Sequence, residues 1–146
     1  MLSQTAEYAL RAVLFLAERQ DQGPVRVDQI AAALGIPANY LSKTLNTLVR
    51  ARVLTSLRGP HGGFRLAVAA EDLPLLRVVA PFDKIVERRH CLLGNPECSD
   101  RTACDAHQAW KETADKVAHF FRTTTVADIR GKGIAQSRAS RSWRSA

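Results

Sequence analysis

Apolar residues recur at three- and four-residue steps from the N-terminus. Leu2, Ala6, Ala9, Leu10, Val13, Leu14 and Ala17 form one stripe, the pattern of an amphipathic helix running to about Arg19. A polar stretch closed by Gly23 and Pro24 follows, and then Val27, Ile30, Ala31 and Leu34 predict a short second helix. Gly35 ends it, being the residue type best able to adopt a left-handed cap. Pro37 opens a third helix, on which Tyr40, Leu41, Leu45, Leu48 and Val49 can pack inward while Asn39, Ser42, Lys43, Asn46 and Arg50 point outward. Residues 53–57 are rich in β-branched and apolar types, and residues 64–68 can pair with them across the turn Arg58-Gly59-Pro60-His61-Gly62-Gly63, which predicts a hairpin with a basic tip.

Residues 71–79 fit a fourth helix with Asp72 near its start, and residues 80–89 show no clear period. Ala106, Trp110, Ala114, Val117 and Phe121 then give a long helical stripe that Thr123, Thr124 and Thr125 end. From Gly131 onward there is no hydrophobic period, the composition of a disordered tail. The fold class expected is mainly α with a small β-hairpin: a winged helix-turn-helix over residues 1–68, a cysteine loop and long C-terminal helix over 69–129, and a basic tail over 130–146.

Composition narrows the function. At 146 residues and 46% apolar content the chain supports one core with an appended element. No run approaches the roughly 20 apolar residues of a membrane span and no secretory leader pattern opens the chain, so the cytoplasm is expected and a membrane partner is not. The formal net charge of +7 is mostly tail: residues 130–146 hold five bases and no acids, which leaves 16 bases against 14 acids before them. The informative charge is local. Residues 30–66 contain Lys43, Arg50, Arg52, Arg58 and Arg65 and neither Asp nor Glu, whereas residues 67–129 hold eight bases and ten acids.

A helix, a turn at Gly35-Ile36, and a second helix whose outer face offers amides, a hydroxyl and an ammonium group suit the major groove, where amides pair with adenine edges and lysine with guanine. A carboxylate on that face would repel phosphate, and none is there. A wing must run close to the phosphates and place a cation in the narrow minor groove, which Arg58 beside Gly59, Gly62 and Gly63 can do. The expected set facing double-stranded DNA is Asn39, Tyr40, Ser42, Lys43, Asn46, Arg58, Gly62 and Gly63.

Cys91, six residues, Cys98, five residues, Cys104, two residues, His107 is the second constellation. Thiolates suit iron–sulfur clusters and zinc, a histidine can replace one cysteine at a 2Fe-2S centre, and Gly94-Asn95-Pro96 lets the first loop fold back. Zinc or bare redox thiols are the alternatives. No paired carboxylates, Ser-His-Asp set, phosphate loop or HExxH segment points to an enzyme, which leaves a small metalloenzyme or electron carrier as the rival class.

Residues 1–129 resemble the IscR/NsrR-type (Rrf family) bacterial winged-helix transcriptional regulators. The resemblance is carried by the opening Met-Leu-Ser-Gln-Thr-Ala-Glu-Tyr-Ala-Leu-Arg-Ala, by Asn39-Tyr40-Leu41, by Arg58-Gly59-Pro60-His61-Gly62-Gly63-Phe64, by the cysteine loop and by Val126-Ala127-Asp128-Ile129. It implies that Asn39 and Ser42 touch base edges and that Arg58 enters the minor groove, although His61 stands where glycine is usual. It further implies a homodimer built on the long C-terminal helix and a pseudo-palindromic operator. For the cysteines it implies a 2Fe-2S cluster on Cys91, Cys98, Cys104 and His107, with six residues in the first spacing where five is common. In NsrR-like members a first-helix carboxylate completes a 4Fe-4S cluster, which makes Glu7 the alternative fourth ligand.

Overall fold

The computed structural model describes residues 1–85, 91–95 and 99–131. Helix α1 spans Gln4–Ala17 and begins where the Ser3 hydroxyl accepts from the Ala6 amide. Its small residues Ala6, Ala9 and Ala12 are fully buried beside Val13, so other elements pack close against its axis. Helices α2 (Val27–Leu34), α3 (Ala38–Arg50) and α4 (Leu75–Val79) and strand β2 (Gly63–Leu66) all touch α1, which makes it the centre of the molecule.

The helix-turn-helix is made by α2 and α3. Gly35 is left-handed at φ 65°, and the amides of Gly35 and Ile36 both bond the Ala31 carbonyl, so α2 stops as its sequence predicts. In α3 the inward residues are Leu41, Leu45 and Leu48, joined by Thr44, whose hydroxyl donates to the Tyr40 carbonyl at 3.2 Å and so enters the core satisfied. Tyr40, expected to pack inward, instead lies on the helix edge and is 39% exposed.

Strand β1 (Leu54–Leu57) pairs antiparallel with β2 in the register Leu54↔Leu66 to Leu57↔Gly63. Val25 adds a third, single-residue edge: its amide and carbonyl exchange hydrogen bonds of 2.9 and 2.8 Å with Phe64. The hairpin is thereby tied to the linker between α1 and α2.

The helix expected over 71–79 is divided. A 3-10 turn spans Ala70–Asp72, the chain is extended at Leu73 and Pro74, and α4 occupies only Leu75–Val79. Pro74 has no amide to donate and drives the residue before it out of helical geometry. The extended step is used: Leu75 donates to the Thr124 carbonyl and Val126 to the Leu73 carbonyl, both at 2.9 Å, which pins the long helix α5 (His107–Thr123) and the short α6 (Val126–Ile129) to the body. Only Ala118 and Phe121 of α5 are buried, and Trp110 and Phe120 remain 37% and 49% exposed. Of the tail expected over 130–146, residues 132–146 lie outside the described residues.

Candidate nucleic-acid interface and cysteine loop

On α3 the structure puts Asn39, Lys43 and Asn46 in solvent, with Ser42 half-buried between them. The face is shared by Arg50, whose guanidinium donates to the Thr47 hydroxyl at 3.2 Å. A helix whose inner side is Leu41, Leu45 and Leu48 must turn these residues outward, because the same period fixes both faces. The corner before α3 is held from α1: Arg11 donates to the Leu34 carbonyl at 2.9 Å, satisfying one of the carbonyls a helix end leaves open.

At the wing, Arg58, Gly59, Pro60 and His61 are exposed, and the Gly62 amide closes the turn on the Gly59 carbonyl at 3.0 Å. Gly62 and Gly63 also have a use within the hairpin, besides the phosphate approach expected of them. Gly62 is buried, and a Cβ on it would lie 2.2 Å from the Leu57 carbonyl oxygen. Gly63 takes φ +145°, and a Cβ there would lie 2.5 Å from the Val25 carbonyl. These glycines let the hairpin close on itself and on Val25, and the outward surface of the wing is Arg58 to His61.

In the cysteine loop, Cys91 is half-buried, Cys104 is exposed, and neither forms a disulfide. Gly94, at φ +74°, returns its amide to the Cys91 carbonyl at 2.9 Å, the fold-back that the Gly94-Asn95 pair suggests. Cys98 and Pro96 lie outside the described residues. Cys104 and His107 share one turn at the start of α5, the His107 amide donating to the Cys104 carbonyl at 2.9 Å. The ring Nε2 of His107 lies 3.0 Å from Asp100 Oδ1, and Lys111, one turn on, reaches the same oxygen at 3.3 Å. The hydrogen bond from His107 and the Lys111 ammonium hold the Asp100 carboxyl below its ordinary range. Glu7 sits half-buried in the first turn of α1. Among the described residues no three of His, Cys, Asp and Glu converge where a metal ion would sit.

Two features escape a reading of periodicity. Arg11 looks like one more polar position on α1, and its partner is a backbone carbonyl 23 residues away. Thr5 and Tyr8, which meet Tyr40, are three apart on α1, a same-face spacing whose partner the sequence does not name. Among the described residues no helix is long and apolar enough to cross a membrane.

The family model Rrf2, described as "Iron-dependent Transcriptional regulator", matches residues 2–132. A putative HTH-type transcriptional regulator of Aquifex aeolicus is 32% identical over 131 residues, covering 88% of this chain and 90% of the relative. The HTH-type transcriptional regulator IscR of Vibrio atlanticus is 30% identical over 128 residues, covering 88% and 73%. Among solved structures, the global cysteine regulator CymR of B. subtilis superposes with a TM-score of 0.73 at 22% identity, covering 89% of this chain and 95% of that one. The IscR of T. potens gives 0.70, also at 22% identity, covering 88% and 84%. These likenesses confirm the winged-helix fold, and the match across residues 2–132 places the chain in the Rrf2 family of transcriptional regulators.

Proposed function

We propose that the protein binds a pseudo-palindromic duplex as a homodimer, reading bases with α3 and the minor groove with Arg58, and that an iron–sulfur cluster on the cysteine loop sets its affinity. The observation that carries the DNA reading is the acid-free outer face of α3, Asn39, Ser42, Lys43 and Asn46, beside a wing that exposes Arg58. Arg58 enters the narrow groove as a cation on a thin turn. A second copy is supported by α5, whose Trp110 and Phe120 are partly exposed in one chain, and by the two-fold symmetry of duplex half-sites.

The donor set suits a cluster. Cys104 and His107 share the turn that leads into α5. A ligating histidine usually gives its other ring nitrogen to a carboxylate, and Asp100 stands against the His107 ring. Cys91 and Cys98 would supply the remaining ligands, in the 2Fe-2S form, with Glu7 in place of His107 in the 4Fe-4S form. When bound, such a group supplies a redox centre whose assembly depends on iron and sulfide. The chain's own part is mechanical: the loop runs directly into α5, so a change in how Cys91, Cys104 and His107 are held alters the position of the helix that joins the two reading heads. A zinc ion or bare thiols on the same cysteines is the rival reading. Anaerobic purification with iron, sulfide and zinc analysis separates the three: iron with matching sulfide supports the cluster, zinc alone or metal-free thiols replace it.

A further inference from the structure

The first turns of α1 and α3 are joined by side chains that the reading above does not use. The Thr5 and Tyr40 hydroxyls are hydrogen-bonded to each other. The Tyr8 ring meets the Tyr40 ring edge to face, with centroids 5.7 Å apart and planes at 87°. Gln4 Nε2 donates to the Tyr8 hydroxyl at 3.0 Å, completing the contact from the α1 side. Helix α3 begins at Pro37 without a side-chain cap, so its first turn is held from the flank. At the N-cap of α1, the Ser3 amide donates to Asp83 Oδ2 at 2.7 Å.

We propose that Thr5, Tyr8 and Tyr40 form a latch that fixes the rotation of α3 about its own axis, so that Tyr40 positions the base-reading face and does not itself read a base. The proposal rests on α3 being the base-reading helix. Geometry gives the latch its effect: at a radius of about 5 Å, a rotation of about 20° carries a side-chain tip by about 2 Å. That displacement exceeds the distance tolerance of a hydrogen bond to a base edge, so Asn39, Ser42 and Asn46 lose their partners together. Phosphate contacts by flexible lysine and arginine follow such a shift with little loss. Specific binding therefore weakens while non-specific binding persists.

The experiment uses the full chain with Thr5→Val, Tyr40→Phe, the double variant, Thr5→Ser and Asn46→Ala. Dissociation constants are measured at one salt concentration for a duplex selected by the wild type and for a scrambled duplex. Thr5→Val and Tyr40→Phe each weaken binding to the selected duplex about three- to tenfold and change binding to the scrambled one less than about twofold. The double variant equals either single one, because both remove the same hydrogen bond. Thr5→Ser, which keeps the hydroxyl, binds as the wild type does. If Tyr40→Phe weakens binding further in the Thr5→Val background, Tyr40 acts on DNA directly and the latch is wrong. If Asn46→Ala alters base preference while Thr5→Val leaves affinity intact, the latch alone fails. If Asn46→Ala leaves base preference unchanged, the base-reading role of α3 fails and takes the latch with it.

Discussion

The Arg11 guanidinium donates to the Leu34 carbonyl across 2.9 Å, so the middle of α1 grips the last turn of α2 immediately before the chain bends at Gly35 into α3. A charged donor on a helix-end carbonyl contributes more than a neutral one and cannot be replaced by water without reopening the corner. Arg11→Met, which keeps the aliphatic stem, should lower unfolding stability by about 1–2 kcal/mol in a urea titration. Wild-type stability in that variant would show that the contact is incidental.

The wing glycines make a separable prediction. Gly62→Ala places a Cβ against the Leu57 carbonyl and Gly63→Ala places one against the Val25 carbonyl at a positive φ. Both should destabilise the fold by more than about 1 kcal/mol, since neither carbonyl belongs to a flexible side-chain end. Gly59→Ala meets no atom within 4 Å and carries only the strain of its φ of +102°. Thermal melts should therefore rank Gly59→Ala as the mildest of the three; the reverse order would contradict the internal role assigned to Gly62 and Gly63.

At the interface, charge and base reading should come apart. Arg58→Ala should weaken binding to every duplex and reduce the salt slope by about one phosphate-equivalent. Asn46→Ala should instead cost on the order of 1–3 kcal/mol at one base pair and little elsewhere. Binding isotherms over a salt series, on the selected duplex and on single-base variants, read both effects. An equal loss on all duplexes for Asn46→Ala would make Asn46 a phosphate contact and contradict base reading by α3.

The cap of α6 gives a pH dependence of known sign. Asp128 accepts from the Thr125 amide at 2.8 Å and from its hydroxyl at 2.9 Å, and these bonds hold its carboxyl below the ordinary range. A carboxylate with a depressed folded value stabilises above its unfolded value, and that contribution is lost as pH falls through the folded one. Asp128→Ala should thus melt below wild type at neutral pH, and the gap should close in acid beneath the usual aspartate range. A gap independent of pH would mean that the cap works without the charge.

Much of the architecture was legible because periodicity and punctuation agree. The stripe from Leu2 to Ala17, the Gly35 stop and the Arg58–Gly63 turn each mark an element that the structure contains. The break at Pro74 was visible as a residue but hidden by the apolar run around it, and its purpose, pairing with Thr125, depends on a segment some fifty residues away. Tyr40 looks inward by helical phase alone, which does not say that an aromatic neighbour, Tyr8, waits at the helix edge. Gly62 and Gly63 also pack against Leu57 and Val25, a contact only tertiary structure supplies. At the cysteine loop, spacing proposes Cys91, Cys98, Cys104 and His107 as donors, and the structure adds the shared turn of Cys104 and His107 and the Asp100 partner.

The central claim, that the cysteine loop governs DNA affinity through a bound cluster, is tested by one measurement: the operator dissociation constant of anaerobically purified protein before and after the cluster is stripped with a chelator, with iron and sulfide counted in both samples. The account predicts iron and sulfide in the first sample and a change in affinity of at least about fivefold between the two. Protein without iron or sulfide, or equal affinities in loaded and stripped samples, would contradict it.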